Sequence, residues 1–305
     1  MKRYSKIILE AKRGTTFEVV QEKNGELRIK VVDVKVTNEY SVNYINPPVP
    51  LGFRYVKGRW NTGFVIERIA DGSKFTWVPV GYLDANGTID GINFNEKFGR
   101  RNYRKEEFSE FELSDSITSD YHKTLESIKK CGGFYISSYD ISKNPETGEP
   151  QSVEGAEPWT DISGEDAQEL AKFMTIKNEA VSSYLPFGSE YDCIFEWIIK
   201  SGAKTKEEVA VNSTSWGNYL NARRNNVPNR KTNTGSDEKY CVNEIWDLAG
   251  NVSEWTQEKG KRIYNITRGG CFYDSGRIYP AAYRGYQKKN ETFVGTGFRV
   301  ALRIN

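Results

Sequence analysis

The most informative segment of this chain covers residues 243–255 and reads NEIWDLAGNVSEW. At its centre, the glycine-asparagine pair at 250–251 predicts a tight turn between a short apolar run and a tryptophan. Further along, the glycine pair at 269–270 removes two Cβ atoms where backbone segments must approach closely. The phenylalanine-arginine pair at 298–299 predicts a final strand that buries a ring and leaves a guanidinium to pair inside the protein.

Two helices are predicted upstream of this segment. The first begins at Ser163, where Asp166 follows three residues later in a capping-box arrangement. Its apolar stripe consists of Ala167, Leu170, Ala171 and Met174. The second begins near Ser189 and ends before Gly202. Its apolar positions, at helical spacing, are Cys193, Ile194, Trp197 and Ile198.

The remaining segments differ in pattern. Apolar alternation on both sides of residues 23–25 predicts an N-terminal β-hairpin, and three prolines within 47–50 predict a stiff connector after it. Short aromatic strands are expected within residues 51–80 and 133–140. The polar stretch 84–130 predicts a long loop with a short helix near its end. From residue 212 onward the weak periodicity predicts ordered loop around a small sheet.

The composition limits the possible functions. Of 305 residues 13% are aromatic, and the formal net charge of +2 gives no reason to expect nucleic acid or an anionic membrane as partner. His122 is the only histidine and is predicted to be at the surface, which removes most hydrolase and oxygenase mechanisms. The cysteines form no CxxC pair and are expected to be reduced. A disulfide between Cys241 and Cys271 is the alternative.

These blocks, in this order, resemble the sulfatase-modifying-factor domain, which is the formylglycine-generating-enzyme type of C-type-lectin-like fold. The family has a D-M-A-G-N-V-W-E-W block, then R-G-G, then a final G-F-R, and residues 158–167 and 185–191 resemble two of its upstream steps. The resemblance covers residues 50 to 305. It implies an α+β domain over 47–305 with short antiparallel strands, two helices and much ordered loop. Residues 1–46 are then expected to be a small β module for attachment or oligomerisation.

In the enzymes of this family, two cysteines shortly after the R-G-G block bind copper, and thiolates suit Cu(I). The resemblance implies that a copper site in this chain would lie at the same place. Here Cys271 follows Gly270, and residues such as Asp274 and Tyr279 stand where the pair would fall. The iron-dependent branch of the family needs histidines that this chain lacks. No catalytic residue and no copper, iron or zinc are therefore expected. The alternative is a metal-dependent oxidase or modifying enzyme of the formylglycine-generating type.

The resemblance also implies a calcium ion at the glycine-asparagine turn. The matching ligands are the carboxylates of Asp247 and Glu254 and the carbonyls of Gly250 and Val252. Hard oxygen donors of this kind suit Ca²⁺. The alternative is that both carboxylates cap loops through backbone N–H groups and hold no ion.

A recognition surface is predicted on the loops between residues 270 and 295 and on residues 216–226, where Tyr, Trp, Asn and Arg are frequent. The predicted ligand-binding residues are Trp216, Tyr219, Arg223, Tyr273, Tyr279, Tyr283, Arg284 and Tyr286. Rings stack on the C–H faces of sugars and amides recognise hydroxyls, which favours a host cell-surface glycan or glycoprotein as ligand. The alternative is that half of these rings belong to the core.

Degenerate members of this family are similar to structural proteins of bacteriophages and prophages. The expected function is therefore non-catalytic, lectin-like recognition by a virion component, either receptor-binding in the tail or decorating the head. Such a protein would form a homo-oligomer and contact other virion proteins through residues 1–46, without nucleic-acid binding or membrane insertion. Residues 1–10 lack the apolar region of a signal peptide, which agrees with particle assembly in the bacterial cytoplasm. A scaffold without a ligand is a further alternative.

Overall fold

The computed structural model describes residues 15–21, 27–34, 47–80, 115–175, 178–220, 230–260 and 263–305, with backbone alone for 15–34 and 115–118. The chain divides into two compact units, Met1–Asn43 and Tyr44–Asn305.

The described part of the first unit is an antiparallel hairpin. Strands β1 (Thr15–Gln21) and β2 (Leu27–Val34) pair so that Phe17 lies opposite Val31 and Val19 lies opposite Ile29. The predicted hairpin is confirmed, while its turn and residues 35–46 lie outside the described residues. The attachment role of this module stays a prediction.

The second unit is an α+β domain, as expected. Its strands are β3 (Phe53–Lys57), β4 (Val65–Arg68), β5 (Lys74–Pro79), β6 (Gly133–Ser137), β7 (Ser142–Lys143), β8 (Pro150–Gln151), β9 (Val181–Tyr184), β10 (Cys241–Val242), β11 (Ile245–Trp246), β12 (Ser253–Lys259), β13 (Tyr264–Arg268), β14 (Arg284–Lys288), β15 (Thr296–Phe298) and β16 (Ala301–Ile304). Its helices are α1 (Asp115–Cys131), α2 (Gly164–Phe173), α3 (Gly188–Lys200) and α4 (Lys206–Ala210). None of these helices is both long and apolar enough to cross a membrane.

Two sheets organise the domain. The larger has the order β3-β4-β5-β6-β16-β9 and the smaller the order β14-β13-β12-β15. Neighbouring strands are antiparallel except β12 and β15, which run parallel. The predicted meander of strands within residues 51–80 is confirmed by β3, β4 and β5.

The central strands β5 and β6 of the larger sheet are buried on both faces. Along β6, Phe134 and Ile136 belong to a core shared with α3, whereas Tyr135 between them belongs to a core shared with α2. Successive side chains of a strand point to opposite faces, so the two helices cover opposite sides of the sheet. This explains why the whole strand is buried and shows no alternation of apolar and polar residues.

The predicted helices begin where their caps indicate. Ser163 is the N-cap of α2, and its hydroxyl accepts the N–H of Asp166 at 3.1 Å. Helix α3 begins at Gly188, where the Glu190 carboxylate accepts the N–H of Phe187 at 2.8 Å. The short helix α4 was not predicted, although Thr205 and Glu208 form a capping box before it.

Helix α1 is longer than the short helix predicted for the polar region. It has 17 residues, and its buried face is formed by Thr124, Ser127 and Ile128. Two of these three are polar, so the apolar periodicity is weak. The Ser127 hydroxyl instead donates to the carbonyl of Ile304 at 2.8 Å, which satisfies it against β16. His122 on the same helix is exposed, as predicted.

The chain after residue 212 contains more strand than the sequence indicated. In β12, the consecutive side chains of Thr256, Gln257 and Glu258 are all buried, so no apolar alternation marks the strand. The Thr256 hydroxyl donates to Ile266 and the Gln257 amide donates to Leu185. Polar groups satisfied in this way are tolerated in the interior, but a search for apolar periodicity does not detect them.

The proline-rich connector is not a free linker over residues 47–50. Pro47 and Pro50 are buried, and the carbonyl of Pro48 accepts the hydroxyl of Tyr135 at 2.9 Å. Residues 47–50 therefore pack as part of the second unit.

Candidate functional site

The predicted turn at Gly250 and Asn251 is confirmed. Both residues have a left-handed backbone, with φ of 70° and 57°. The Asn251 amide oxygen accepts the backbone N–H of Thr232 and the amide N–H of Asn218, both at 3.0 Å. The N–H of Gly250 donates to the carbonyl of Gly269 at 3.0 Å, which joins this turn to the R-G-G block.

The final-strand arginine pairs inside the protein, as predicted. Arg299 is completely buried and forms ion pairs with Glu254 and with Asp140, the latter at 3.0 Å. Its guanidinium also donates to the carbonyl of Ser137 at 3.1 Å. Burial raises the pKa of Asp140, and Arg299 opposes that shift. The arginine therefore ties the glycine-asparagine segment to the larger sheet.

Three buried carboxylates surround this one guanidinium: Asp140, Asp247 and Glu254. One oxygen of Asp247 accepts the Thr234 hydroxyl and the Gly235 N–H, both at 2.8 Å. The other Asp247 oxygen and Oε2 of Glu254 have no hydrogen-bond partner of good geometry among the described residues. Burial raises the pKa of Asp247 as well. Ionised together, the three carboxylates exceed the charge of Arg299.

Two of the four predicted calcium ligands, Val252 and Glu254, have oxygens near one point beside the R-G-G turn, together with the Leu248 carbonyl, which was not predicted. Oxygens of Leu248, Val252 and Glu254 lie 3.2, 3.9 and 3.9 Å from the point that a Cβ on Gly269 would occupy. Two buried carboxylate oxygens without a hydrogen-bond partner suit a divalent cation with oxygen ligands. Among the described residues no three His, Cys, Asp or Glu side chains form a metal-binding group, but the predicted set uses two carboxylates and two carbonyls. Calcium stays a prediction.

A second buried ion network corrects the role predicted for Arg284. The guanidinium of Arg284 pairs with Asp192 and Glu258, and Asp192 also pairs with Arg268. All four side chains are 2% exposed or less. Arg284 therefore joins β14 to α3 and β12 in the interior and does not face a ligand.

Two predicted ligand-binding rings also belong to the core. Trp216 and Tyr219 are 1% and 0% exposed. The indole N–H of Trp216 donates to Glu208, and the hydroxyl of Tyr219 donates to Gly269 at 2.8 Å. Each ring finds a buried polar partner, which is how large amphipathic side chains become core residues. Arg223 lies outside the described residues.

The other predicted rings are at least partly accessible. Tyr279 and Tyr283 are half-buried and pack edge to face with ring centroids 4.6 Å apart. Tyr286 is 46% exposed and packs against Tyr264. Tyr273 is 48% exposed.

Tyr273 belongs to an exposed apolar surface that we call the aromatic ridge, which consists of Leu220, Tyr273, Phe293 and Val294. The Tyr273 ring lies 4.1 Å from that of the buried Phe272 and 6.2 Å from that of Phe293. The N–H of Leu220 donates to the carbonyl of Asp274, which places Leu220 beside Tyr273. Leu220 and Val294 lie within the loops predicted as the recognition surface, but they were not among the predicted ligand-binding residues, because an isolated aliphatic residue in a loop carries no signal of exposure.

The cysteine that follows the R-G-G block, Cys271, lies close to Phe293 of this ridge, since both side chains lie within 3 Å of the point that a Cβ on Gly295 would occupy. Cys271 is 3% exposed, and burial together with the Asp274 carboxylate raises the pKa of its thiol to about 12. Asp274 also accepts the N–H of Cys271 at 2.9 Å. All four cysteines are free, so the disulfide between Cys241 and Cys271 that the sequence left open is not formed. At neutral pH the buried thiol is protonated, a form that neither attacks nor binds metal well.

One family model matches most of the chain. Residues 77–304 match the family model described as the sulfatase-modifying factor enzyme 1-like domain. No curated protein matches the chain significantly.

Similar solved structures include Treponema denticola variable protein 1, with 13% identity, a TM-score of 0.46, and coverage of 82% of this chain and 99% of that one. PvdO from Pseudomonas aeruginosa has 13% identity, a TM-score of 0.46, and coverage of 79% and 98%. A protein titled Major Tropism Determinant U1 Variant has 12% identity, a TM-score of 0.38, and coverage of 97% and 74%. The chain belongs to the family of the sulfatase-modifying factor enzyme 1-like domain.

Proposed function

We propose that this chain is a non-catalytic recognition protein whose aromatic ridge contacts the ligand. The observation that carries the proposal is the ridge itself: Tyr273, Phe293, Val294 and Leu220 are 48%, 44%, 37% and 47% exposed. Exposed rings grouped on one surface are typical of binding sites, since the chain would otherwise bury them.

The backbone that presents the ridge is held firmly from below. Phe272 is buried under Tyr273, and its N–H donates to the carbonyl of Asn251 at 3.0 Å in the left-handed turn. The N–H of Thr296 donates to the carbonyl of Phe293 at 2.9 Å, where strand β15 begins. Rings on ordered loops lose little conformational entropy on binding, so a few of them are able to dominate the affinity.

Catalysis of the formylglycine-generating type is the competing proposal, and the chemistry of Cys271 opposes it. That chemistry needs two accessible soft thiolates. Here Cys271 is buried with a raised thiol pKa, and no cysteine follows it in the chain. An oxidase would therefore need a different metal and different ligands.

The proposed context is a virion component that binds a host cell-surface glycan or glycoprotein. Binding at one exposed ridge is expected to be weak, and several copies on one particle would supply avidity. Assembly into a homo-oligomer and attachment to other virion proteins are assigned to residues 1–46. A calcium ion at the glycine-asparagine turn would stabilise the ridge from within rather than contact the ligand.

The test is binding of the full chain to an array of bacterial surface polysaccharides and host glycans. Replacing Tyr273 and Phe293 together with alanine should lower the array signal about tenfold or more while preserving the melting temperature. The matched control is Tyr55→Ala, which removes a ring that is 52% exposed on strand β3. Equal binding by the ridge variant and the control, or copper-dependent oxygen consumption with cysteine peptides, would contradict the proposal.

A further inference from the structure

A cleft of about 630 Å³ opens beside the aromatic ridge, outside the predicted binding residues. It lies between the β7–β8 hairpin, residues 154–161 and Lys231. The N–H of Asp161 in its wall donates to the carbonyl of Phe293 at 3.3 Å, which places the cleft wall next to the backbone of this ridge residue. Its volume is within the range of small-molecule sites in proteins.

Trp159 is the aromatic side chain in the lining of this cleft. The ring is half-buried, and it packs against the buried Phe298 with ring centroids 6.5 Å apart. Its backbone N–H donates to the carbonyl of Ile141 at 2.7 Å, which orders the segment that carries it. The ammonium of the exposed Lys143 lies 5.2 Å from the ring centroid. Because the lysine stem is flexible and solvated, a ligand is able to displace this ammonium from the ring.

The polar groups of the cleft include both donors and acceptors. Lys143, Lys231, Glu154, Glu157 and Asp161 line the cleft, and Lys231 pairs with Glu157 at 3.1 Å. Two ammonium groups nearly balance three carboxylates, which favours neither a strongly anionic nor a strongly cationic ligand. Hydroxyl groups both donate and accept, so a polyhydroxylated neutral molecule matches the mixed lining.

Gln151 adds an independent observation. Gln151 is 8% exposed and lines the cleft, and its amide oxygen accepts the side-chain amide N–H of Asn144 at 3.1 Å. Its amide nitrogen donates to no acceptor in the part of the chain that the structure describes. This nitrogen is accessible to solvent at the cleft wall, so it is available to donate to a hydroxyl group of a ligand.

We propose that this cleft is a saccharide-binding subsite. The C–H face of a pyranose stacks on Trp159, Gln151 donates to a ring hydroxyl, and the flanking ammonium and carboxylate groups bind the remaining hydroxyls. This inference rests on the proposed recognition function and assigns its sugar-binding residues. The adjoining ridge then contacts the rest of the glycan or its carrier.

The test uses the full chain labelled with 5-fluorotryptophan, whose seven tryptophans give separate ¹⁹F resonances. Trp159→Phe assigns the resonance of interest, and methyl glycosides of glucose, galactose, mannose and N-acetylglucosamine are the probes. The Trp159 resonance should shift saturably with at least one glycoside, with a dissociation constant on the order of 1 mM. Trp159→Ala should weaken binding of that glycoside about tenfold. The matched control is Trp60→Ala, a half-buried tryptophan outside the cleft lining.

Two results would overturn the subsite. One is no saturable shift with any glycoside up to about 100 mM, and the other is unchanged glycoside affinity in Trp159→Ala. If Trp159→Ala keeps the array binding that the ridge variant loses, the subsite is wrong and the recognition function stands. If the wild-type chain binds no array component, the recognition function itself is wrong.

Discussion

Replacing Arg284 with alanine distinguishes between two roles of this residue. The sequence predicted that Arg284 contacts a ligand, whereas the structure shows it in a buried ion pair. The guanidinium pairs with Asp192 and Glu258, whose side chains are 2% and 0% exposed. The variant leaves the Glu258 carboxylate buried without this ion pair. Breaking a buried pair by removing one partner costs about 3–5 kcal/mol, because the remaining buried charge loses the compensation of that partner.

The expected change in melting temperature follows from this free energy. One kcal/mol shifts the melting temperature of a domain of this size by about 2–4 °C, so Arg284→Ala should lose roughly 6–20 °C in a calorimetric scan. The matched control is Arg54→Ala. Arg54 pairs with Glu67 but is 66% exposed, so its loss should cost about 1 kcal/mol or less.

The reasoning is refuted if Arg284→Ala melts as the control does. If Arg284→Ala loses binding to the array while its melting temperature is unchanged, Arg284 belongs to the ligand-binding surface. A variant that is strongly destabilised, with array binding retained below its melting temperature, establishes the ion network as purely structural.

Three further predictions concern the turn and the thiol close to the ridge. EDTA should lower the melting temperature and added Ca²⁺ should restore it, since a bound ion stabilises the folded state. The melting temperature of Asp247→Asn should respond to neither. A wild-type melting temperature that EDTA does not change would exclude the ion. Because the pKa of Cys271 is raised to about 12, iodoacetamide at pH 8 should label it only after unfolding, and native labelling within minutes, seen by mass spectrometry, would contradict this. Gly250→Ala should cost about 1–3 kcal/mol in urea unfolding, since φ is 70° and a Cβ would lie 2.5 Å from the Asn218 carbonyl oxygen. The matched control Gly72→Ala, with φ of 75° and nothing within 4 Å of a Cβ, should cost less; equal costs would refute the close approach.

Local features of the fold were predictable from sequence. The cap at Ser163, the hairpin β1–β2 and the left-handed turn at Gly250 each depend on residues within a few positions of one another. Helix α1 and strand β12 were underestimated because their buried residues are partly polar. Their hydrogen-bond partners come from distant segments, and apolar periodicity carries no information about those partners.

The chemistry of the candidate site was predictable from the sequence, but the residues that form its exposed surface were not. The sequence alone determined that Cys271 stands without a thiol partner after it and that one histidine is present, because these are matters of composition. Which rings face solvent was decided by tertiary structure. Asp192 reaches Arg268 and Arg284 across 76 and 92 positions of sequence, and it is this pairing that turns a predicted ligand contact into a core residue. Burial of a charge depends on a partner that only the folded chain brings within reach.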